Sequence, residues 1–262
     1  MSDPLLSVTV ITRNEAHRIG RCLESVAFAD ERVVLDSGST DDTVALARSL
    51  GARVIQSADW PGFGPQKNRA LDAATGHWVL SLDADEVVGP ELSRSIQAVL
   101  ARAARGEALP DAYWITRSSR YCGRTIRFGD WRNDRVLRLF RRGHARFSDD
   151  LVHERLVCSG RQDTLSGLLE HDSVDSPADA REKAERYARL GADKLRARGR
   201  GGLVPALTHG LWTFLRGYLL RLGLLDGSAG FAIAWLNARS TFLRYRLAGL
   251  PAAVPSSPGD PT

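Results

Sequence analysis

The chain has little cysteine, and its cysteines are not spaced as metal ligands. It contains three, Cys22, Cys122 and Cys158, and no two of them form a Cys-x-x-Cys pair. A zinc ribbon or a disulfide framework needs more cysteines at short, regular spacings. The sequence therefore argues against both and indicates a reducing compartment, the cytoplasm.

Targeting segments and the common phosphate-binding loops are also missing. Met1 to Pro4 show no basic region followed by an apolar core, and no run of about 18 apolar residues is free of charge, so neither a signal peptide nor a spanning helix is predicted. No G-x-G-x-x-G follows the first predicted strand, and no G-x-x-x-x-G-K-S/T occurs anywhere. The sequence therefore disfavours a dehydrogenase and a P-loop nucleoside triphosphatase.

The composition is that of a globular protein with an anionic partner. The 262 residues are 43% hydrophobic and 26% charged, which excludes disorder or a fibrous repeat for the chain as a whole. The net charge of +5 indicates binding to nucleic acid, to a phosphorylated substrate or to an acidic membrane surface. Charge alone does not choose among these partners.

Short β-branched runs alternate with amphipathic helices over the first 104 residues. The predicted strands are residues 6–12, 32–35, 53–57 and the run that ends at Asp83, and the predicted helices are residues 17–28, 41–50, 66–74 and 90–104. Such alternation predicts an α/β fold with a mostly parallel, Rossmann-like, doubly wound sheet. Ligands of these sheets bind outside the carboxyl ends of the strands.

The pattern changes twice after residue 104. Residues 105–176 contain shorter strand-like pieces at 113–117, 136–140 and 165–169, joined by loops that could build an acceptor site. Residues 177–250 are predicted to be helical and mix aromatic residues with arginine, which indicates helices lying in a membrane interface, with core packing or dimerisation as the alternatives. We therefore expect a domain of residues 1–176 (nucleotide-binding half 1–104, acceptor half 105–176), a helical extension of residues 177–250 and a disordered tail of residues 251–262.

The strand that ends at Asp83 carries a candidate metal site. An apolar run from His77 to Leu82 is followed by Asp83, Asp85 and Glu86. Alternation along a strand predicts that the first two carboxylates lie on one side, where hard oxygen ligands suit Mg²⁺ or Mn²⁺ and leave positions open for substrate phosphates. The alternative is a polar loop after a strand.

Asp36 ends the second strand and is a candidate nucleotide ligand. It begins the run from Asp36 to Thr43, in which Gly38 permits a tight turn and Ser39 or Asp41 can cap the next helix. A carboxylate at the carboxyl end of a strand is placed to accept hydrogen bonds from a base or ribose. The loop after the first strand, residues 12–14, offers backbone groups to the same base.

Taken together, these segments resemble the family 2 glycosyltransferases, which have the GT-A fold. The matching segments are residues 8–15, 34–43, 66–70 and 82–86. The later segments 131–140 and 152–154 resemble the branch that includes lipopolysaccharide core glucosyltransferases, in which a helical C-terminal tail follows.

The resemblance implies a role for each matched residue. Asp36 would contact the nucleoside, Asp83 the ribose and metal region, and Asp85 the Mn²⁺ or Mg²⁺ that bridges the donor phosphates. Lys67 and Arg69 would neutralise phosphate or bind the donor sugar, unless they form a solvated helix face. The residues assigned to nucleotide-sugar binding are Thr12, Arg13, Asn14, Glu15, Asp36, Lys67, Arg69, Asp83, Ala84 and Asp85, and the metal ligands are Asp85 and Asp83.

Members of this family invert the anomeric carbon, which requires a catalytic base for the acceptor hydroxyl. Glu154 is the candidate and Asp150 its rival. Glu154 could instead be a surface carboxylate paired with Arg155 or another arginine. His153 could orient the base, approach the metal or be structural. His171 and Asp172, after the strand at 165–169, could form part of a site or a loop, and a loop is favoured.

An arginine-rich band interleaved with aromatic residues precedes the candidate base. It consists of Arg117, Arg120, Arg124, Arg127, Arg132, Arg135, Arg138, Arg141 and Arg142. No nucleic-acid module accompanies it, so a phosphorylated acceptor glycolipid is favoured over nucleic acid, with a solvated surface as the alternative.

The sequence therefore predicts a metal-dependent inverting hexosyltransferase. We expect it to move a hexose, glucose being favoured, from a nucleotide sugar such as a UDP-hexose to a lipid-linked saccharide such as the lipopolysaccharide inner core, at the cytoplasmic face of the cell membrane. The alternatives are a nucleotidyltransferase that makes a nucleotide sugar and a non-catalytic membrane-surface binding protein of the same fold.

Overall fold

The computed structural model describes residues 5–132, 134–148 and 154–251 and divides the chain into two compact units. The first unit consists of residues 1–119 and 133–173, and the second of residues 120–132 and 174–262. The segment 120–132, which the sequence grouped with the acceptor half, thus belongs to the second unit.

The first unit begins with a parallel half-sheet covered by helices. Its strands are β1 (Leu6–Thr12), β2 (Glu31–Asp36), β3 (Arg53–Gln56) and β4 (Trp78–Asp83), and its helices are α1 (Ala16–Ser25), α2 (Thr43–Ser49), α3 (Phe63–Ala73) and α4 (Pro90–Ala104). Strand β1 pairs in parallel with β2 and β4, and β2 pairs in parallel with β3. All residues of β1 are buried, as expected for a parallel strand with both faces covered.

The remaining strands make the sheet mixed. They are β5 (Glu86–Val88), β6 (Ala112–Tyr121), β7 (Arg124–Thr125), β8 (Asp134–Arg141), β9 (Ala145–Phe147), β10 (Leu156–Cys158) and β11 (Gln162–Val174). Within the described residues the strand order is β3-β2-β1-β4-β8-β6-β11-β5, with β7 beside β6, and β9 pairs with β10 separately.

The predicted α/β architecture is confirmed, but the prediction of a mostly parallel sheet is wrong. Strand β8 pairs antiparallel with β4 and β6, and β11 pairs antiparallel with β5. Between β6 and β8 the described residues contain no α-helix, only β7 and a short 3-10 turn (Gly129–Trp131). A parallel pair needs a long crossover, whereas strands that follow one another through shorter loops pair antiparallel.

The second unit is built mainly from α5 (Pro177–Arg196), α6 (Leu203–Leu215) and α7 (Gly227–Ala248). The helical pattern predicted over residues 177–250 is interrupted after α6, because a π-helical turn (Arg216–Leu220) and a 3-10 turn (Gly223–Asp226) follow it. Leu222 between them has φ of +59°, a left-handed conformation that ends a helix. A Cβ on Gly230 would lie 1.8 Å from the carbonyl oxygen of Gly223, so this bend needs glycine at position 230.

No single helix in the described part of the chain is long and apolar enough to span a bilayer. The two helical segments Leu203–Leu220 and Gly223–Ala248, which are bent by 71° at their break, pass the same test of length and composition as a pair.

Candidate functional site

The carboxyl ends of β1, β2 and β4 meet at one edge of the sheet. In the strand register Thr12 lies opposite Asp36, and Ile11 lies opposite Asp83. The loops after these strands therefore share one edge, which is where the sequence placed the candidate site.

Asp83 is held between two cationic side chains. Its Oδ1 lies 2.8 Å from Nζ of Lys67, and its Oδ2 lies 2.6 Å from a guanidinium nitrogen of Arg138. Burial raises the pKa of Asp83, but the charges of Arg138 and Lys67 outweigh burial and hold the pKa well below its ordinary value. Asp83 is therefore a permanent anion whose two oxygens are both engaged.

The third carboxylate of the motif is structural. Glu86 is fully buried; its Oε2 accepts a hydrogen bond from the backbone N–H of Asp83, and its Oε1 lies 2.7 Å from Arg138. Burial alone would lower the pKa of Arg138, but Asp83 and Glu86 raise it far above its ordinary value. The sequence grouped Arg138 with the arginine-rich band and favoured a phosphorylated acceptor as its partner, whereas the structure pairs it internally with Asp83 and Glu86.

Lys67 connects Asp83 to the candidate base. The side chain of Lys67 is 5% exposed, and its Nζ lies 2.8 Å from Oε1 of Glu154 as well as from Asp83. The alternative that Lys67 belongs to a solvated helix face is therefore wrong. Glu154 does not pair with Arg155 but faces this lysine, and its rival Asp150 and the neighbouring His153 lie outside the described residues.

Helix α3 fixes the chain on both sides of the undescribed segment 149–153. The side-chain amide of Asn68 donates to the carbonyl of Phe147 and accepts from the backbone N–H of the same residue, each at 3.0 Å. A Cβ on Gly64 would lie 2.0 Å from the carbonyl oxygen of Ser148 and 3.4 Å from Cβ of Glu154. Sequence reasoning missed Gly64 and Asn68. Gly64, Lys67 and Asn68 stand at positions i, i+3 and i+4 of a helix, a spacing that puts them on one face.

Asp85 lies beside a histidine rather than beside lysine or arginine. Its Oδ2 is 3.3 Å from Nε2 of His171, because β11 pairs with β5 and places His171 opposite Glu86. The assignment of His171 to a loop is wrong. The ring is oriented through Nδ1, which lies 2.8 Å from Oγ of Ser173. Within the described residues no three carboxylate, histidine or cysteine side chains are grouped as a metal site.

The loops after β1 and β2 are tied to each other. Asn14, with φ of +56°, donates its backbone N–H to Ser39 Oγ and accepts from the backbone N–H of Thr40. The N–H of Glu15 donates to Thr43 Oγ1 at 2.8 Å, and burial raises the pKa of Glu15 against the opposing charge of Arg18.

Asp36 organises its own turn. It is fully buried, and its Oδ2 accepts from the backbone N–H groups of Gly38 and Ser39 at 3.1 Å each. Thr12 is also buried, and its Oγ1 has no hydrogen-bond partner within the residues the structure describes. Any nucleotide contact of Asp36 must therefore share the carboxylate with this turn.

The other predicted residues are distributed differently. Arg13 is exposed, and Ala84 is buried in the turn between Asp83 and Asp85. Arg69 forms a bidentate ion pair with Asp59, at 2.7 and 2.8 Å, and does not contact the partners of Lys67 among the described residues. The arginine-rich band is divided between the two units, because its members at 120–132 belong to the second unit and its other members to the first.

The family model and the sequence relatives agree on one family. The family model described as Glycosyl transferase family 2 matches residues 7–158. The chain is 30% identical to the lipopolysaccharide core biosynthesis glycosyltransferase LpsC of Rhizobium meliloti, over 94% of this chain and 95% of that relative. It is 31% identical to an uncharacterized glycosyltransferase of Rickettsia typhi, over 91% and 85% of the two chains. Among solved structures, residues 1–349 of S. aureus TarS align with 91% of both chains at 17% identity and a TM-score of 0.48.

Proposed function

Because the chain belongs to glycosyltransferase family 2, and so has the GT-A fold of that family, we propose that it is a metal-dependent inverting hexosyltransferase. The proposed donor is a nucleotide hexose, with UDP-glucose favoured. The proposed acceptor is a lipid-linked saccharide such as the lipopolysaccharide inner core, in keeping with the name of the Rhizobium relative.

One observation carries this proposal: the buried Lys67 ammonium contacts both Asp83 and Glu154 at 2.8 Å. Asp83 stands at the strand edge where a nucleotide would bind, and Glu154 is the candidate base for the acceptor. A single cation therefore holds the donor side and the acceptor side of the site next to each other. Lys67 is a positioning residue in this account.

The transfer step follows from this placement. Glu154 takes the proton of the acceptor hydroxyl as its oxygen bonds to the anomeric carbon of the donor sugar. The bond between that carbon and the diphosphate oxygen breaks at the same time, and its electron pair leaves with the nucleoside diphosphate. Attack opposite to the leaving group inverts the anomeric carbon.

The residues present fit a divalent cation at Asp85 better than at Asp83. Both oxygens of Asp83 contact cationic side chains, which would repel a metal ion, whereas Asp85 faces His171. A neutral imidazole and a carboxylate can both bind a metal, and a nitrogen ligand favours Mn²⁺ because Mg²⁺ takes oxygen ligands. When bound, the ion would supply Lewis-acid stabilisation of the departing diphosphate.

We also propose that the second unit attaches to the inner face of the cell membrane. Many large apolar side chains of its helices are exposed, among them Val204 (71%), Leu207 (55%), Leu211 (61%), Trp212 (53%) and Leu220 (67%). A protein that is surrounded by water rarely exposes so many apolar groups together. Helices of this kind lie in the bilayer interface with their apolar side chains in lipid.

The direct test measures release of nucleoside diphosphate from a panel of nucleotide hexoses, with saccharide acceptor and Mn²⁺. We expect one donor to be consumed, an inverted product, and loss of transfer in Glu154→Gln. Glu107→Gln is the matched control, because Glu107 is a surface carboxylate paired with Arg102 and Arg105. Release of pyrophosphate from a sugar phosphate and a nucleotide would instead indicate a nucleotidyltransferase. No turnover with any donor would contradict the proposal.

A further inference from the structure

A cavity in the second unit combines arginine side chains with an apolar wall. It encloses about 610 Å³ and lies between the end of β6, the turn that follows it, the start of α5 and the first half of α7. Among the described residues three arginines line it, Arg124, Arg181 and Arg239, and no acidic residue does. The cavity therefore has the electrostatic character of an anion site.

The guanidinium groups of the cavity are only partly satisfied by the protein. Arg239 pairs with Glu185 at 2.7 Å through one terminal nitrogen, while its other terminal nitrogen is buried and has no hydrogen-bond partner among the described residues. Arg124 donates to Ser228 Oγ at 3.3 Å, and neither Arg124 nor Arg181 forms an ion pair within the described ranges. A buried donor without an acceptor costs free energy, which a bound anion would recover.

The rest of the lining is apolar. Phe231 and Trp235 line the cavity although they are 48% and 57% exposed, and Ala229, Ala232 and Leu236 complete this wall. Apolar surface of this kind gains free energy when hydrocarbon covers it. A small hydrated anion would leave the wall unused, so the occupant must carry an anionic group and an apolar chain together.

We propose that this cavity binds one molecule of a phosphate-bearing lipid. Its phosphate lies among the guanidinium groups, whose forked donors match phosphate oxygens, and its acyl chain lies along Phe231 and Trp235. Both aromatic residues also belong to the exposed apolar surface of α6 and α7, so a lipid can enter from the bilayer without crossing water. The site lies wholly in the second unit and does not depend on the transfer reaction.

Calorimetric titration of the full chain with short-chain phosphatidylglycerol, kept below its micelle-forming concentration, tests this directly. We expect one lipid per chain. Arg124→Gln combined with Arg181→Gln should weaken binding at least about tenfold, since each loses a hydrogen bond to a charged group. The control pair Arg189→Gln and Arg198→Gln makes the same charge change on exposed residues outside the cavity.

Two further measurements locate the bound lipid. Cys122 lines the cavity, so lipid should slow its alkylation, measured by mass spectrometry, and leave alkylation of Cys158 in the first unit unchanged. Ala232→Trp should fill the cavity and abolish binding without altering charge. Should this variant not fold by circular dichroism, Trp235→Ala removes the wall instead and should weaken binding.

Several results would contradict a phospholipid site in this cavity. Inorganic phosphate binding as tightly as the lipid would identify a soluble anion as the occupant. Equal binding of short-chain phosphatidylcholine, equal loss in the control arginine pair, equal slowing at both cysteines, or no binding at all would each overturn the lipid site.

Discussion

A guanidinium nitrogen of Arg138 lies 2.7 Å from Oε1 of Glu86, a carboxylate with no exposed surface. The same nitrogen also contacts Asp83, so one arginine neutralises two carboxylates of the motif after β4. Within this motif Glu86 therefore has a structural role, whereas Asp83 and Asp85 are the candidate site residues.

Arg138→Met should strongly destabilise the protein. The change leaves Glu86 buried without its main cation, and breaking a buried pair in this way costs about 3–5 kcal/mol. Urea unfolding at pH 7 measures the loss, which should shrink as the pH is lowered because the stranded carboxylates take up protons. Arg138→Lys, which keeps the charge, should lose less. A change of less than about 1 kcal/mol in Arg138→Met would contradict a structural role.

Asp83 should contribute to stability in a pH-dependent way. Its pKa is held below the ordinary value of about 3.9, so the folded state binds the proton more weakly than the unfolded chain does. The stabilisation is therefore complete above that value and is lost as the pH falls below it. Melting temperatures of the wild type and Asp83→Asn should differ most near neutral pH and converge in acid. A difference that grows in acid would show that the pKa is raised instead.

Gly64→Ala should reduce transfer without unfolding the protein. The added methyl would lie 2.0 Å from the backbone of Ser148, so α3 must move away from the chain that carries Glu154. A displacement of about 1 Å at a reacting group can cost about 100-fold in rate. The measurement is kcat with saturating donor, and the control is Gly20→Ala in α1, whose Cβ would meet only a leucine side chain at 3.4 Å. Equal kcat values in both variants would contradict the role of Glu154 as the base that α3 positions.

Attachment to vesicles should depend on the apolar face of α6. Leu207→Glu combined with Leu211→Glu places charge where hydrocarbon contact is proposed, so sedimentation with anionic vesicles should fall sharply. The control is Val157→Glu combined with Leu168→Glu, which makes the same change at exposed apolar residues of the first unit. If both pairs sediment alike, the helices of the second unit do not form the membrane contact.

The parallel half of the fold was predictable because its information is local. Strand β1 is predicted with its observed bounds, Leu6–Thr12, because it is a short run rich in β-branched and apolar residues. Helix α4 is predicted with its observed bounds, Pro90–Ala104, because it has helical periodicity and a proline at its start. The edge that gathers Asp36 and Asp83 follows from parallel pairing alone.

The internal ion pairs were not predictable in the same way. Arg138 meets Asp83 only because β8 pairs antiparallel with β4, a relationship between distant segments that no local pattern encodes. Lys67 belongs to a run of buried residues in α3, against the usual exposure of lysine, and is tolerated there because Asp83 and Glu154 both neutralise it. Likewise, only the pairing of β11 with β5 brings His171 to Asp85.

Binding of the donor with and without metal tests the central claim most directly. Calorimetric titration with UDP-hexoses and UDP should show tight binding that requires Mn²⁺, and Asp85→Asn should lose this binding. His171→Gln should weaken the metal-dependent part about tenfold or more. His144→Gln is the matched control, because His144 also faces an aspartate, Asp111, at 3.2 Å but lies far more exposed. Metal-independent binding that Asp85→Asn leaves intact would contradict the proposed donor site.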